Sequence, residues 1–294
     1  MRWTVERGGP VCTNIRIDYD RNKDWEQWGL LTADRHIDSP KSNESLQRYH
    51  LEQAKEREAF VLDFGDFFDA MQGKTDKRSA KMDINPKLIP KDGDEIRGYF
   101  NNVVKYGADF IRPYAQNFAL IAEGNHESAI DKRLDFNLMD VLFGHLADMG
   151  SPCIRGGYRG WVRFFFSSDG MRRESKNAYY HHGSGGGGPV TKGVIQTNRR
   201  SSSVDGADYF ISGHIHEQWL IHVPKVTLNM AGNEVIKDCV HIQLPTYKEE
   251  FADIGGGFHH EKGGPPKPLG AYWIRFYWSI RDRKIKAQFI EADA

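Results

Sequence analysis

Five short apolar runs in this chain each end in side chains that bind metals or move protons. TADRH carries Asp34 and His36, FGDFFD carries Asp66 and Asp69, and EGNHE carries Asn125 and His126. YYHHG carries His181 and His182, and SGHIH carries His214 and His216. Each piece alone is ordinary: Gly-Asp is a common turn, and a pair of histidines is more often surface decoration than a site. Five of them in order, each after an apolar run, predict one constellation. Carboxylates, an amide oxygen and imidazoles together suit divalent ions of borderline softness. Manganese is expected first, with iron, zinc or nickel as alternatives. The candidate ligands outnumber what one tetrahedral ion needs, so two ions are expected. Paired ions roughly 3.5–4 Å apart clamp the attacking and leaving oxygens of a phosphoryl group.

The elements around these residues read as an α/β protein. WGLLTAD (28–34), FVLDFGD (60–66) and FALIAEGNHE (118–127) are short apolar runs that end in polar groups, as buried strands do. Helices are predicted over 42–60, with Ser42 as cap, over 94–116, and as one or two helices over 127–150. GWVRFFFSS (160–168) and AYYHHG (178–183) are strand-like, and the last two dozen residues read as a hairpin. Helices alternate with strands in the first half and strands dominate the second, which predicts two sheets. In such folds, polar groups at strand carboxyl ends converge on the crevice where ligands bind. The whole chain, 1–294, is expected to form a single domain. It would carry an insertion at about 71–98 and a β-rich part from about 218. The insertion is polar and rich in Gly and Pro, and it leaves the second motif directly, so it is expected to form a rim over the site.

Composition narrows the partners. Lys+Arg and Asp+Glu are both 40, so bulk charge gives no drive to coat nucleic acid, although a local basic groove is compatible. Cys12, Cys153 and Cys239 are scattered and form no CxxC, which fits a reducing compartment and no thiolate zinc site. MRWTVERGGPVC lacks the apolar core of a signal peptide, and no apolar run approaches the ~20 residues needed to cross a bilayer. A soluble, cytoplasmic protein without a membrane partner is expected; the composition leaves its oligomeric state open.

Taken together, D-x-H (34–36), G-D-x-x-D (65–69), G-N-H-E (124–127), H-G (182–183) and G-H-x-H (213–216) resemble the calcineurin-like metallophosphoesterases. The resemblance implies a two-sheet α/β sandwich (αββα) with helices on the outer faces. It implies that Asp34, His36 and His216 bind one metal, that Asn125, His182 and His214 bind the other, and that Asp66 bridges them. Asp69 would orient a neighbouring ligand. His126 would protonate the leaving oxygen, a role worth typically ~10²–10⁴-fold. A hydroxide held by both ions would be the nucleophile. Two histidines precede Gly183, and the family's ligand stands directly before the glycine, which favours His182 over His181. Glu127 could orient His126 or simply begin a helix.

The resemblance implies a phosphoester substrate, with nucleic acid or a nucleotide among the options. Family phosphoprotein phosphatases continue the second motif with Arg-Gly, whereas Asp69 is followed by Ala70-Met71. GDFFDA is closer to the form in nucleases of double-strand-break repair, so a phosphodiesterase or nuclease is expected ahead of a phosphomonoesterase. A metal-binding scaffold without activity is the third option. Lys192, Arg199 and Arg200 read as a solvated basic loop or as phosphate contacts. GSGGGG (183–188) reads as a flexible loop, and FHHEKGG (258–264) as exposed loop. Trp273, Tyr277 and Trp278 read as sheet core before a base-stacking platform.

Overall fold

The computed structural model describes residues 2–21, 24–70, 84–89, 97–168, 171–188, 190–251 and 263–292. These form two mixed sheets and five α-helices. The seven-stranded sheet holds β1 (Trp3–Gly9), β2 (Cys12–Asp18), β7 (Arg159–Ser168), β8 (Met171–His181), β9 (Tyr209–Ser212), β10 (Trp219–Leu228) and β11 (Glu234–Gln243). Its order is β1-β2-β7-β8-β9-β11-β10. The six-stranded sheet holds β3 (Glu26–Thr32), β4 (Phe60–Asp63), β5 (Phe118–Ile121), β6 (Ile154–Arg155), β12 (Ala271–Ser279) and β13 (Lys284–Ala292). Its order is β13-β12-β3-β4-β5-β6. From residue 219 onward every described strand or helix is a strand.

Register explains why the motifs can meet. β3, β4 and β5 run parallel, with Thr32 beside Asp63 and Asp63 beside Ile121. Their carboxyl ends are therefore level, and the chain leaves all three at one edge toward Asp34, Asp66 and Asn125. β8, β9 and β11 are likewise parallel, with Tyr180 beside Ile211 and Ser212 beside Gln243. That brings the segments carrying His182 and His214 to a common level. Every residue of β4 and β5 is buried, as strands covered on both faces should be.

One hydrophobic cluster draws on both sheets: Ile15, Phe164 and Phe166 from the seven-stranded sheet meet Leu31, Leu62 and Phe276 from the other. The Phe276 ring lies 5.0 Å from that of Phe164 and 4.9 Å from that of Phe166. Losing one of these rings should cost about 3–5 kcal/mol. A second cluster joins Leu30, Val61 and Ile121 to α1 (Glu44–Glu56), α2 (Arg97–Ile111) and α4 (Leu138–Asp148), and takes in Ile130 as well. Neighbours Leu30 and Leu31 thus enter different clusters, the alternation a strand imposes. The remaining helices are α3 (Asn125–Leu134) and α5 (Val194–Ser201).

Several local expectations change. Asn43, not Ser42, caps α1, its side chain accepting from Leu46 N at 3.0 Å. The β1–β2 hairpin has no counterpart in the predicted elements. Trp273 is buried, its ring edge-on to Trp28, while Trp278 is half-buried and stacks on Tyr19. The stretch 71–98 lies largely outside the described residues. Within it, Pro86–Leu88 form a short 3₁₀ turn and α2 begins at Arg97. FHHEKGG also lies mostly outside them. Among the described residues, no helix is long and apolar enough to cross a membrane.

Candidate metal centre

Arg35 fixes the first motif from beneath. Its buried guanidinium donates to Asp63 Oδ2 at 2.6 Å, Gln47 Oε1 at 2.9 Å and Thr32 Oγ1 at 3.1 Å. A buried cation tolerates such a place only when paired and hydrogen-bonded in this way. The Arg35 side chain is thus committed to the sheet, and its neighbours Asp34 and His36 face the crevice. Asp34 N donates to Gly65 O and His36 N to Asp66 O, which ties the first two motif loops together.

The turns that aim these residues are strained. Among described non-glycine residues, ten have a left-handed φ, and five of those are Asp34 (53°), His36 (46°), Asp66 (53°), His214 (74°) and His216 (53°). Asp and His tolerate this region better than most residues, but each still costs of order 1 kcal/mol or more. Strain concentrated in one cluster is the mark of a site whose geometry is held by its surroundings.

The donor atoms converge in overlapping groups, each with its atoms within 4.8 Å of one another: Asp34, His36 and His216; Asp66, His182 and His214; His36, Asp69 and His126. In the first, His216 Nε2 lies 3.3 Å from Asp34 Oδ1 and 3.3 Å from His36 Nε2. In the second, His182 Nε2 lies 3.1 Å from Asp66 Oδ2 and 3.2 Å from Asn125 Oδ1, while His214 Nδ1 lies 2.5 Å from the same Asn125 oxygen. Neighbouring ligands on one ion at bond lengths of 2.0–2.2 Å are roughly 3.0–3.5 Å apart, so most of these spacings fit. Tautomers fit as well. His182 Nδ1 donates to Phe64 O at 2.9 Å, which turns Nε2 toward Asp66 and Asn125. His36 Nδ1 lies 2.9 Å from Asp69 Oδ1, off the ideal hydrogen-bond angle, and its Nε2 is turned to His216.

Electrostatics agree with a cation-seeking centre. Burial pushes His36 down to about 4, so its imidazole is neutral, as a ligand must be. Burial opposes ionisation of Asp66, but His126 and His182 outweigh it and hold the carboxyl well below its usual range. Burial also opposes protonation of His182, yet Asp66 raises it to about 10.

The third group is a poorer cation site. Asp69 Oδ1 is already contacted by Lys248 Nζ at 2.9 Å, an ammonium that would repel an ion there. His126 Nδ1 points to Asp69 O at 2.5 Å and so donates to it, leaving Nε2 beside Asp66 Oδ2 at 3.7 Å. His126 thus borders the two ligand groups with a free ring nitrogen facing them. Glu127 does not touch His126: its oxygens accept from Phe68 N at 2.9 Å and Gly124 N at 2.8 Å. It sits in the first turn of α3 and ties that helix to the Asp66–Asp69 loop. His181 also stays apart, its Nδ1 facing Gly183 N and Arg200, each at 3.1 Å.

Two glycines are required by close approach. A Cβ at Gly124 would sit 2.1 Å from Asp66 Oδ1, and one at Gly213 would sit 2.6 Å from Asp34 Oδ2. Three groups near the site lacked any sequence signal. Asp38 accepts from Asp69 N at 2.6 Å and Ala70 N at 2.9 Å. Thr246 Oγ1 and Tyr247 N donate to Asp34 O, and Lys248 pairs with Asp69.

No protein-family model matches the chain, and no curated protein matches it. Among solved structures it is similar to GAP50, the anchor in the inner membrane complex of Plasmodium, at 10% identity and a TM-score of 0.39. That match covers 90% of this chain and 84% of that one.

Proposed function

We propose that this chain is a phosphoester hydrolase of the calcineurin-like metallophosphoesterase kind that works with two divalent ions. The observation that carries the reading is the meeting of the Asp34–His36–His216 and Asp66–His182–His214 groups at level strand ends. The matching fold would be a two-sheet sandwich with helices on its outer faces, supported by the cluster shared between the sheets and the one beneath the helices.

In this reading Asp34, His36 and His216 would hold one ion, Asn125, His182 and His214 would hold the other, and Asp66 would be the ligand they share. Manganese is the first expectation. Bound ions would supply Lewis acidity and a water activated near neutral pH. The chain's own groups do the rest. His126 would pass a proton carried on Nε2 to the leaving oxygen, while Nδ1 donates to the Asp69 carbonyl and so holds the ring in place. Asp69 steadies His36 from behind, and Glu127 keeps the second and third motifs in register.

The GDFFDA form favours a phosphodiester substrate over a monoester. The test is a panel on chelator-stripped protein reloaded with Mn²⁺: bis-p-nitrophenyl phosphate, p-nitrophenyl phosphate, cyclic nucleotides, DNA and RNA. Metal-dependent hydrolysis of diesters, lost in Asp66→Asn, is expected. Faster hydrolysis of the monoester would move the assignment to a phosphatase. Metal binding with no hydrolysis of any member would leave a scaffold.

A further inference from the structure

We propose that Lys248 is a positioning residue of this centre, holding the Asp69 carboxylate where it steadies His36. The inference rests on the reading of the cluster as a metal site and adds a residue that no motif contains. Lys248 Nζ lies 2.9 Å from Asp69 Oδ1, with the lysine side chain 9% exposed and the carboxylate 3%. Glu250 stands farther off, at 3.9 Å. The same Asp69 oxygen is 2.9 Å from His36 Nδ1, and the opposite side of that ring presents Nε2 to His216. Lys248 therefore reaches a candidate ligand nitrogen through two contacts.

The backbone of Asp69 is fixed separately, by Asp38 Oδ1 at 2.6 Å, so what Lys248 adds is control of the side chain. Its neighbours act on the first motif. Thr246 Oγ1 at 2.9 Å and Tyr247 N at 3.1 Å both donate to Asp34 O, whose residue has the left-handed φ described above. Three consecutive residues, just after β11, thus grip both Asp34 and Asp69. A buried carboxylate without a counter-charge is costly and free to turn away. Partners one step behind a metal ligand typically change affinity ~10–100-fold when lost.

The test is calorimetric titration of Mn²⁺ into chelator-stripped wild type, Lys248→Met, Lys248→Arg, Asp69→Asn and the double variant Asp69→Asn/Lys248→Met. Lys248→Met should weaken one of two binding events ~10–100-fold and spare the other, and Lys248→Arg should restore most of the loss. The double variant should match Asp69→Asn alone, because Lys248 acts through that carboxylate. It removes the Asp69–Lys248 pair as a whole, so it decides the matter if Lys248→Met does not fold. Wild-type affinity in Lys248→Met, or a further loss in the double variant, would overturn the proposal. A wild type that binds no Mn²⁺ would overturn the metal reading itself, and this inference with it.

Discussion

The Nε2 atoms of His36 and His216 face each other across 3.3 Å although the two residues stand 180 positions apart. A hydrogen bond between them needs one ring to carry its proton on Nε2, and Asp69 sits beside the opposite nitrogen of His36. Asp34 Oδ1 completes the triangle at 3.3 Å from His216. Three donor atoms set this way could hold one ion.

His182 and His181 should separate cleanly. Only His182 lies among Asp66, Asn125 and His214. His182→Ala should deplete one of the two ions by elemental analysis, while His181→Ala keeps both. The reverse pattern would shift the ligand by one residue.

His126→Ala should keep both ions and lose turnover about 10²–10⁴-fold on substrates with poor leaving groups. Bis-p-nitrophenyl phosphate, whose leaving group needs little protonation, should lose far less. Equal losses on both substrates, or loss of an ion, would remove His126 from the acid role.

Gly124→Ala and Gly213→Ala push a methyl into the Asp66 and Asp34 carboxylates respectively. Each should lower stability by about 1–3 kcal/mol, as overpacking does, and should weaken Mn²⁺ binding. Gly144→Ala, where a Cβ would meet nothing within 4 Å, should leave Mn²⁺ binding untouched.

His241 makes an acid-sensitive point outside the candidate metal groups. Its ring is 1% exposed, Nε2 has no partner among the described residues, and burial followed by Lys225 lowers it to about 4. The folded state then binds fewer protons than the unfolded one between about pH 6.5 and 4. Stability from this group is present above that window and falls through it, by of order 2–3 kcal/mol. Denaturant unfolding with chelator present should show a smaller loss between pH 7 and 4.5 for His241→Leu than for wild type. Parallel curves would contradict the assignment.

Much of the site was legible because unbroken apolar runs mark doubly covered parallel strands, and the ligand types stand at their ends. The runs before Asp34, Asp66 and Asn125 are β3, β4 and β5 themselves. β2 was missed although Ile15 and Ile17 alternate and are fully buried, because charged and polar residues interrupt so short a pattern. Asp38 and Lys248 were illegible for another reason. Each acts through a tertiary contact, to Asp69 N and to the Asp69 carboxylate, and neither lies in a pattern that spacing could reveal. The sequence offers Glu127 two roles, and its hydrogen bonds from Phe68 N and Gly124 N decide for the helix start.

The most direct test of the central claim is the metal stoichiometry of protein purified in metal-replete buffer, measured by mass spectrometry before and after chelation. Two divalent ions per chain, removed by chelator and restored by Mn²⁺, is the predicted result. A content of zero, with no Mn²⁺ density between Asp66 and His214 in a soaked crystal, would contradict it.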